Sequence, residues 1–372
     1  MRIVHIVATS VGAPWLVELA REQVRRGHDV TLVIPSLDGT IAAALDGSGV
    51  RCLAAGVDVL SGSGLRERAV RLAKLVRLLR RLKPDVVHSH ILNSVATARL
   101  ASWLADVPVR IGANAGPFTL ESDLLRAFEL GTVFCDTDSI ASCSYTFDLF
   151  GRYGIRRREL IFYAADERRF DPARADGARV RRELGVDDGT PLVGIVAYFY
   201  PPGTNPAVYP QYLLGRGIKG HETLLDAVPL VLKELPAAKF ALVGRGWGNE
   251  GPPYEAKLKE RARQLGVEHA VLFPGERADV PDTLAAFDVS LQPSLNDNLG
   301  GTLESLLMAR PLVVSDIPGY RDTVIPEQTG LMVPPGDAGA LAAAIVRLLR
   351  DPALARRLGE NGRRLMLERF TL

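Results

Sequence analysis

Short apolar runs alternate with helical patterns along almost the whole chain. In the first half the strand-like runs are "RIVHIVA", "DVTLVI", "DVVHSH", "VRIGANA", "SIASCS" and "LIFYAA". Between them lie amphipathic segments such as 14–26 ("PWLVELAREQVRR") and 65–82, the first stopped by Gly27. Strand–helix–strand alternation predicts an α/β chain with a parallel sheet covered by helices on both faces.

The pattern breaks over 164–190, "AADERRFDPARADGARVRRELGVDDG", which is charged, turn-rich and without a strand. It reads as the junction of two domains, placed at 1–170 and 171–372. Alternation restarts with "PLVGIVAYFY", "AKFALVGRG", "AVLFPGE", "VSLQPS", "PLVVSD" and "GLMVPPG", with helices over 220–235, 253–265 and 301–310. Pro229 counts against a straight first helix. In such sheets ligands bind beyond the carboxyl ends of strands, so a cleft between two facing halves is the expected site.

Composition narrows the classes. The 372 residues are 47% hydrophobic and 24% charged, with a net charge of +2. That is ordinary globular composition, and it implies no whole-chain attraction to nucleic acid. Three cysteines without a CxxC point away from a disulfide framework or zinc site and toward a reducing, cytoplasmic setting. No apolar run reaches the ~18 residues of a membrane span, and "MRIVHIVATS" reads as a strand rather than a signal peptide.

Several residues could carry chemistry. Gly300, Gly301 and Thr302 precede a helix, where unpaired N–H groups suit a phosphate; a plain tight turn is the alternative. Glu304 could cap that helix or accept hydrogen bonds from vicinal sugar hydroxyls. Arg216 and Lys219 stand just before the helix starting near 220, where cations oppose the dipole; they could stabilise a leaving diphosphate or line a solvated loop. "VGRGWG" is too short for a dinucleotide fingerprint. "DVVHSH" ends in His88 and His90, of which only His90, at the strand end, is expected to face a cleft. Helix 65–82 carries an apolar stripe (Leu65, Leu72, Val76, Leu79, Leu82) and a basic face (Arg71, Lys74, Arg77, Arg80, Arg81). It could lie peripherally on the inner face of an anionic membrane, although such faces are commonly just solvated.

Taken together, these segments resemble the retaining, GT-B-fold glycosyltransferases of family 4. The likeness runs through "MRIVHIV", "ELAREQVRRGHDVTLV", "PDVVHSH" and "RGIKGHETLLDAV". It continues through "AKFALVGRG", "LGVEHAVLFPGE", "AFDVSLQPSL" and "LESLLMARPLVVSDIPGYRDTV" to "TGLMVPPGD". It implies two Rossmann-like domains with parallel sheets facing across a cleft, an acceptor-binding one first and a nucleotide-sugar-binding one second. By resemblance, the helix start at Gly301 and Thr302 and Lys219 hold the donor's diphosphate, Glu304 the ribose, and Glu276 and Arg277 edge the base. His90 faces the acceptor and the donor sugar.

The chain departs from the family pattern in places. The first glutamate of the Glu-x7-Glu motif falls on Asn296, or on Asp297 if the loop is one residue short; Asp297 is taken as the sugar-side partner. The usual arginine after the first strand of the second domain is replaced by Tyr198, and Arg216, at the end of the insertion "PPGTNPAVYPQYLLGRG", stands in for it. The opening glycine pair is Gly12-Ala13. The sequence stops at "ERFTL", before the helix that in the family crosses back to the first domain; either the sequence is cut there or that helix is absent.

The resemblance thus implies a bacterial, metal-independent hexosyltransferase without cofactor. It would move a sugar from a nucleoside diphosphate sugar (UDP first, GDP second) to a hydroxyl of a glycan, glycolipid or secondary metabolite. A nucleotide-sugar epimerase on the same fold, or a catalytically weak nucleotide-sugar-binding protein, are the alternatives.

Overall fold

Parallel strands buried on both faces read as unbroken apolar runs, and that is where the computed structural model places its strands. It describes residues 1–57, 64–90, 92–114, 116–248 and 250–371. Two units result, Met1–Tyr163 and Ala164–Leu372. Their border lies ahead of the one expected at 170. The segment around 164–190 does lack strands, holding a short helix Gly177–Glu183 instead.

The first unit has strands β1 (Arg2–Val7), β2 (Asp29–Ile34), β3 (Arg51–Ala54), β4 (Val86–His90), β5 (Val109–Asn114), β6 (Asp138–Ala141) and β7 (Arg158–Leu160). They form one parallel sheet in the order β3-β2-β1-β4-β5-β6-β7. The second unit has β8 (Leu192–Val196), β9 (Lys239–Val243), β10 (Val271–Gly275), β11 (Val289–Gln292), β12 (Leu312–Ser315) and β13 (Leu331–Val333). These run parallel in the order β10-β9-β8-β11-β12-β13. Both orders reverse beside the unit's first strand, the arrangement of Rossmann-like sheets, and each reversal opens a crevice at the strands' carboxyl ends.

Two strands differ from expectation. β3 was not anticipated: its four residues are exposed or half-buried at the sheet edge, so no apolar run marks them. The seventh strand is "REL", ending where "LIFYAA" was expected to begin; past it the Ile161 amide still donates to the Ala141 carbonyl of β6 (3.0 Å), and Ala165 bridges to Thr371 instead of extending the ladder. The helix His221–Glu234 continues through Pro229.

Helix Leu65–Leu82 forms as expected. Its inner residues Leu75 and Leu79 are buried, and Leu72, Val76 and Leu82 pack against the same core; the side chain of Leu65 lies outside the described residues. The described part of the apolar stripe is therefore spent on the fold. What it leaves outward is basic: Lys74, Arg77, Arg80 and Arg81 are exposed. Among the described residues no helix is long and apolar enough to cross a membrane.

Deeper in this unit, Arg99 pairs with Glu129 (2.7 Å) and Asp136 (2.6 Å), all three at most 3% exposed. Buried charges persist only when paired. The pairing ties the helix Leu92–Leu104 to the segment behind β6. Gly112 on β5 leaves room for it: a Cβ there would lie 2.3 Å from Asp136 Oδ2.

Candidate active site

Several of the residues singled out in the second unit, Lys219, Asn296, Asp297, Gly300, Gly301, Thr302 and Glu304, lie on the loops and helix start that follow β8 and β11. Two loops meet there. The Leu295 amide donates to the Ile218 carbonyl (2.8 Å). Gly220, at φ +70°, lies so close to Pro293 that a Cβ would sit 2.0 Å from its carbonyl oxygen. This contact requires glycine in the Lys-Gly pair on both counts, and it delivers Lys219 to the loop after β11. Lys219 Nζ donates to Asp297 Oδ2 at 2.5 Å, with the two side chains 18% and 11% exposed. Burial works against the ammonium's charge, but Asp297, together with Tyr200 and Glu304, outweighs it and leaves the Lys219 pKa above the ordinary lysine value.

The same carboxylate oxygen accepts from the buried Tyr320 hydroxyl (3.0 Å) and from Ser294 Oγ (3.3 Å), while Oδ1 accepts from the Asn298 amide (3.0 Å). Asp297 is thus the hub of the loop and holds Lys219. Asn296, the other candidate for the first motif position, is buried and donates to the Tyr212 hydroxyl in the insertion (2.7 Å).

Glu304 stands in the first turn of helix Thr302–Leu307. Its Oε2 is shielded from solvent and has no hydrogen-bond partner among the described residues. Burial raises its pKa, its own backbone N–H opposing, and the charges of Lys219 and Asp297 are near enough to act on it. A buried carboxylate oxygen without a donor is costly unless something supplies one.

The glycines before this helix are fixed by packing. Gly300 has φ +49° and a Cβ there would lie 2.8 Å from Asp297 Oδ2; at Gly301 it would lie 2.4 Å from Gln292 Nε2. The Thr302 hydroxyl is turned inward, donating to the Leu299 carbonyl and bonded to Thr323 Oγ1 (3.0 Å). It is buried, so any phosphate contact there falls to backbone N–H groups.

Two cations stand elsewhere. Arg216 is exposed, and its guanidinium lies against Gly336 in the loop after β13. Arg277 is held by Asp279 (2.6 Å) and Glu183 (2.7 Å), which absorb its charge. Its neighbour Glu276 accepts from the Tyr198 hydroxyl (2.9 Å) and pairs with Arg245 (2.7 Å). Tyr198, Tyr200 and Trp247 form an aromatic cluster, and Tyr200 reaches Lys219, whose Nζ stands 6.0 Å from the ring centroid. Sequence reasoning gave no role to Tyr320, Ser294 or this cluster; the tyrosines after β8, where an arginine was expected, were the only signal.

In the first unit the β1/β4 reversal carries His90 at the end of β4 and Gly12 in the loop after β1. Gly12 (φ +73°) and Ala13 (φ +49°) turn the chain into helix Pro14–Arg25, and the Gly12 amide donates to Thr40 Oγ1 (3.1 Å). The expectation that only one of His88 and His90 faces the site is wrong. Residues two apart share a strand face, and the two rings lie 3.9 Å apart between centroids. His5, the register neighbour of His88 on β1, joins them. Among the described residues this trio is the group that could hold a metal, its nitrogens lying within 4.8 Å of one another. Two of them already make a hydrogen bond: His5 Nδ1 and His90 Nε2 are 2.9 Å apart.

Residues 13–160 match the family model described as a glycosyl transferase 4-like domain, and residues 212–351 that described as glycosyl transferases group 1. The chain belongs to the group 1, GT-B-fold glycosyltransferases. Among the relatives of this chain is the lipopolysaccharide core biosynthesis mannosyltransferase LpsB of Rhizobium meliloti, 27% identical over 53% of the chain and 52% of that protein. A second is a GDP-mannose-dependent phosphatidylinositol monomannoside mannosyltransferase of Corynebacterium glutamicum, 30% identical over 53% of the chain and 48% of that protein. The chain spans about half the length of the curated relatives it matches. Anabaena HepE, solved with UDP-glucose, aligns over 100% of the chain and 96% of its own at a TM-score of 0.82 and 19% identity. WaaG, a glycosyltransferase of lipopolysaccharide biosynthesis, aligns over 98% and 95% at 0.72 and 16%.

The histidine trio gives the protein a pH signature. Burial lowers His5 to about 4 and holds His88 and His90 well below the ordinary histidine value. The unfolded chain therefore binds more protons below about pH 6.5, and stability falls as pH drops from there. For His5 alone the loss is about 2 kcal/mol at pH 5. Glu304, with a raised pKa, acts in the opposite sense. Denaturant midpoints at pH 7 and 5 should fall further for the native chain than for His88→Asn; equal falls would show that His88 is not held neutral.

Proposed function

We propose that the chain transfers a sugar from a nucleoside diphosphate sugar to an acceptor hydroxyl with retention of anomeric configuration. The observation that carries this reading is the pairing of an unpartnered buried carboxylate oxygen, on Glu304, with the Lys219 ammonium close by. Vicinal ribose hydroxyls supply the two donors a carboxylate accepts, and a diphosphate supplies the anion an ammonium seeks. UDP is the first choice because the structural neighbour HepE was solved with UDP and UDP-glucose; the GDP-mannose-dependent relative supports GDP as the second.

In this mechanism the bond between the anomeric carbon and the phosphate oxygen breaks, and its electron pair leaves with the diphosphate. Lys219 stabilises that growing charge, with the helix start at Gly301 and Thr302 and with Arg216 once it swings to the site. The acceptor oxygen bonds to the anomeric carbon from the same face and gives its proton to the departing phosphate. Asp297 aims Lys219 and, released from it by the diphosphate, turns to the sugar beside Asn296. Arg277 orders the loop that borders the base. His90 and the turn at Gly12 serve the sugar and the acceptor. The cations take the role a metal would play.

Glu304→Ala should weaken UDP binding about 10- to 150-fold in calorimetry, the worth of charged hydrogen bonds of roughly 1.5–3 kcal/mol. Unchanged affinity in a folded variant removes Glu304 from the ribose. Asp297→Asn should leave free UDP bound as tightly or more so, because a competing carboxylate is gone, while turnover falls about 10-fold or more. If UDP binding weakens instead, Asp297 preorganises Lys219 for the ground state. Transfer should persist in EDTA; a loss that Mg²⁺ restores contradicts the metal-free mechanism.

A further inference from the structure

His90 is 2% exposed and His5 fully buried, yet both ring nitrogens of His5 are hydrogen-bonded. His5 Nε2 lies 2.7 Å from the Gln23 side-chain oxygen, on the helix after β1. An amide oxygen only accepts, so His5 carries its hydrogen on Nε2. A neutral imidazole has one hydrogen, which leaves Nδ1 of His5 a bare lone pair. That lone pair faces His90 Nε2 at 2.9 Å, so His90 must donate there. Its own remaining nitrogen, Nδ1, is then an acceptor.

We propose that Gln23 and His5 are positioning residues that fix His90 in the Nε2–H tautomer, so that it offers a substrate an acceptor lone pair and no hydrogen. Burial keeps both rings neutral, which the arrangement requires. His88 and Trp15 hold the ring's plane, with centroids 3.9 and 5.1 Å from that of His90. His88 Nε2 is buried without a partner among the described residues, so it does not compete for the His5 lone pair. A nitrogen that only accepts selects a hydroxyl and rejects a phosphate or ether oxygen. The consequence for turnover rests on the proposed sugar transfer; the tautomer does not.

The test uses the full chain labelled with ¹⁵N-histidine. Two-bond ¹H–¹⁵N spectra near neutral pH should show His5 and His90 both protonated on Nε2. In Gln23→Met, which removes the acceptor from a partly exposed helix position and spares the core, both should become tautomer mixtures. Turnover should then drop about 2- to 10-fold, the worth of one neutral hydrogen bond, with the donor KM unchanged. His5→Asn places an oxygen where Nδ1 stood and should keep most of the turnover, whereas His5→Leu should lose it. A native His90 protonated on Nδ1 overturns the proposal. So does stoichiometric Zn²⁺ binding that shifts all three histidines, which would make the trio a metal site. If the chain transfers no sugar, the spectra still decide the tautomer. If the tautomers are as stated but Gln23→Met keeps full turnover, the positioning role falls and the transfer reading stands.

Discussion

Lys219 keeps its charge in a largely buried place because Asp297 lies 2.5 Å away. Much of the surrounding loop structure follows from that pair. Asp297 needs Tyr320 and Ser294 as further donors, since a buried carboxylate with one partner is under-satisfied. Tyr320 reaches it from the turn after β12, so the pair binds the ends of two neighbouring strands. Gly300 must lack a side chain because Asp297 occupies its space, and Gly220 because the lysine's loop presses on Pro293. The ion pair is also temporary by design if a diphosphate arrives. An anion that takes the ammonium frees a carboxylate beside it, so the resting contact and the working one exclude each other.

The sequence made most of the fold legible because its strands are buried on both faces. "DVTLVI" and "PLVVSD" have no polar alternation to confuse with a surface strand, and both form where expected. β3 was invisible for the opposite reason: an edge strand of four half-exposed residues bears no pattern. Helix 65–82 was legible to the residue from its amphipathic period. The use of its apolar stripe was not, since period alone does not say whether a core or a membrane covers it.

At the candidate site, Glu304 was singled out from its motif, but the contacts of the loop beside it were not. Asp297 meets a lysine 78 positions earlier, a contact fixed by two loops that only the folded sheet brings together. The histidines were misread on a local rule: spacing by two puts side chains on one strand face, so "HSH" always presents both. His5 was overlooked because it sits in an apolar strand with no motif around it. A lone polar residue among four apolar ones in the buried part of β1 was nonetheless a signal, as such a residue must be hydrogen-bonded.

The two sheet reversals differ in chemical character. The first unit's holds neutral imidazoles, of which the buried His5 and His90 are hydrogen-bonded to each other and His5 to the Gln23 amide. The second unit's holds an ammonium, a carboxylate hub and a carboxylate oxygen awaiting donors. In the proposed transfer these match two different tasks. A donor with a diphosphate arrives carrying charge and leaves more of it on the departing group, which calls for fixed charges. An acceptor hydroxyl is neutral until its bond forms, and a cation beside it would hold its lone pair back. Burying the histidines keeps them uncharged at physiological pH, so the hydroxyl meets a hydrogen-bond acceptor rather than a competing acid.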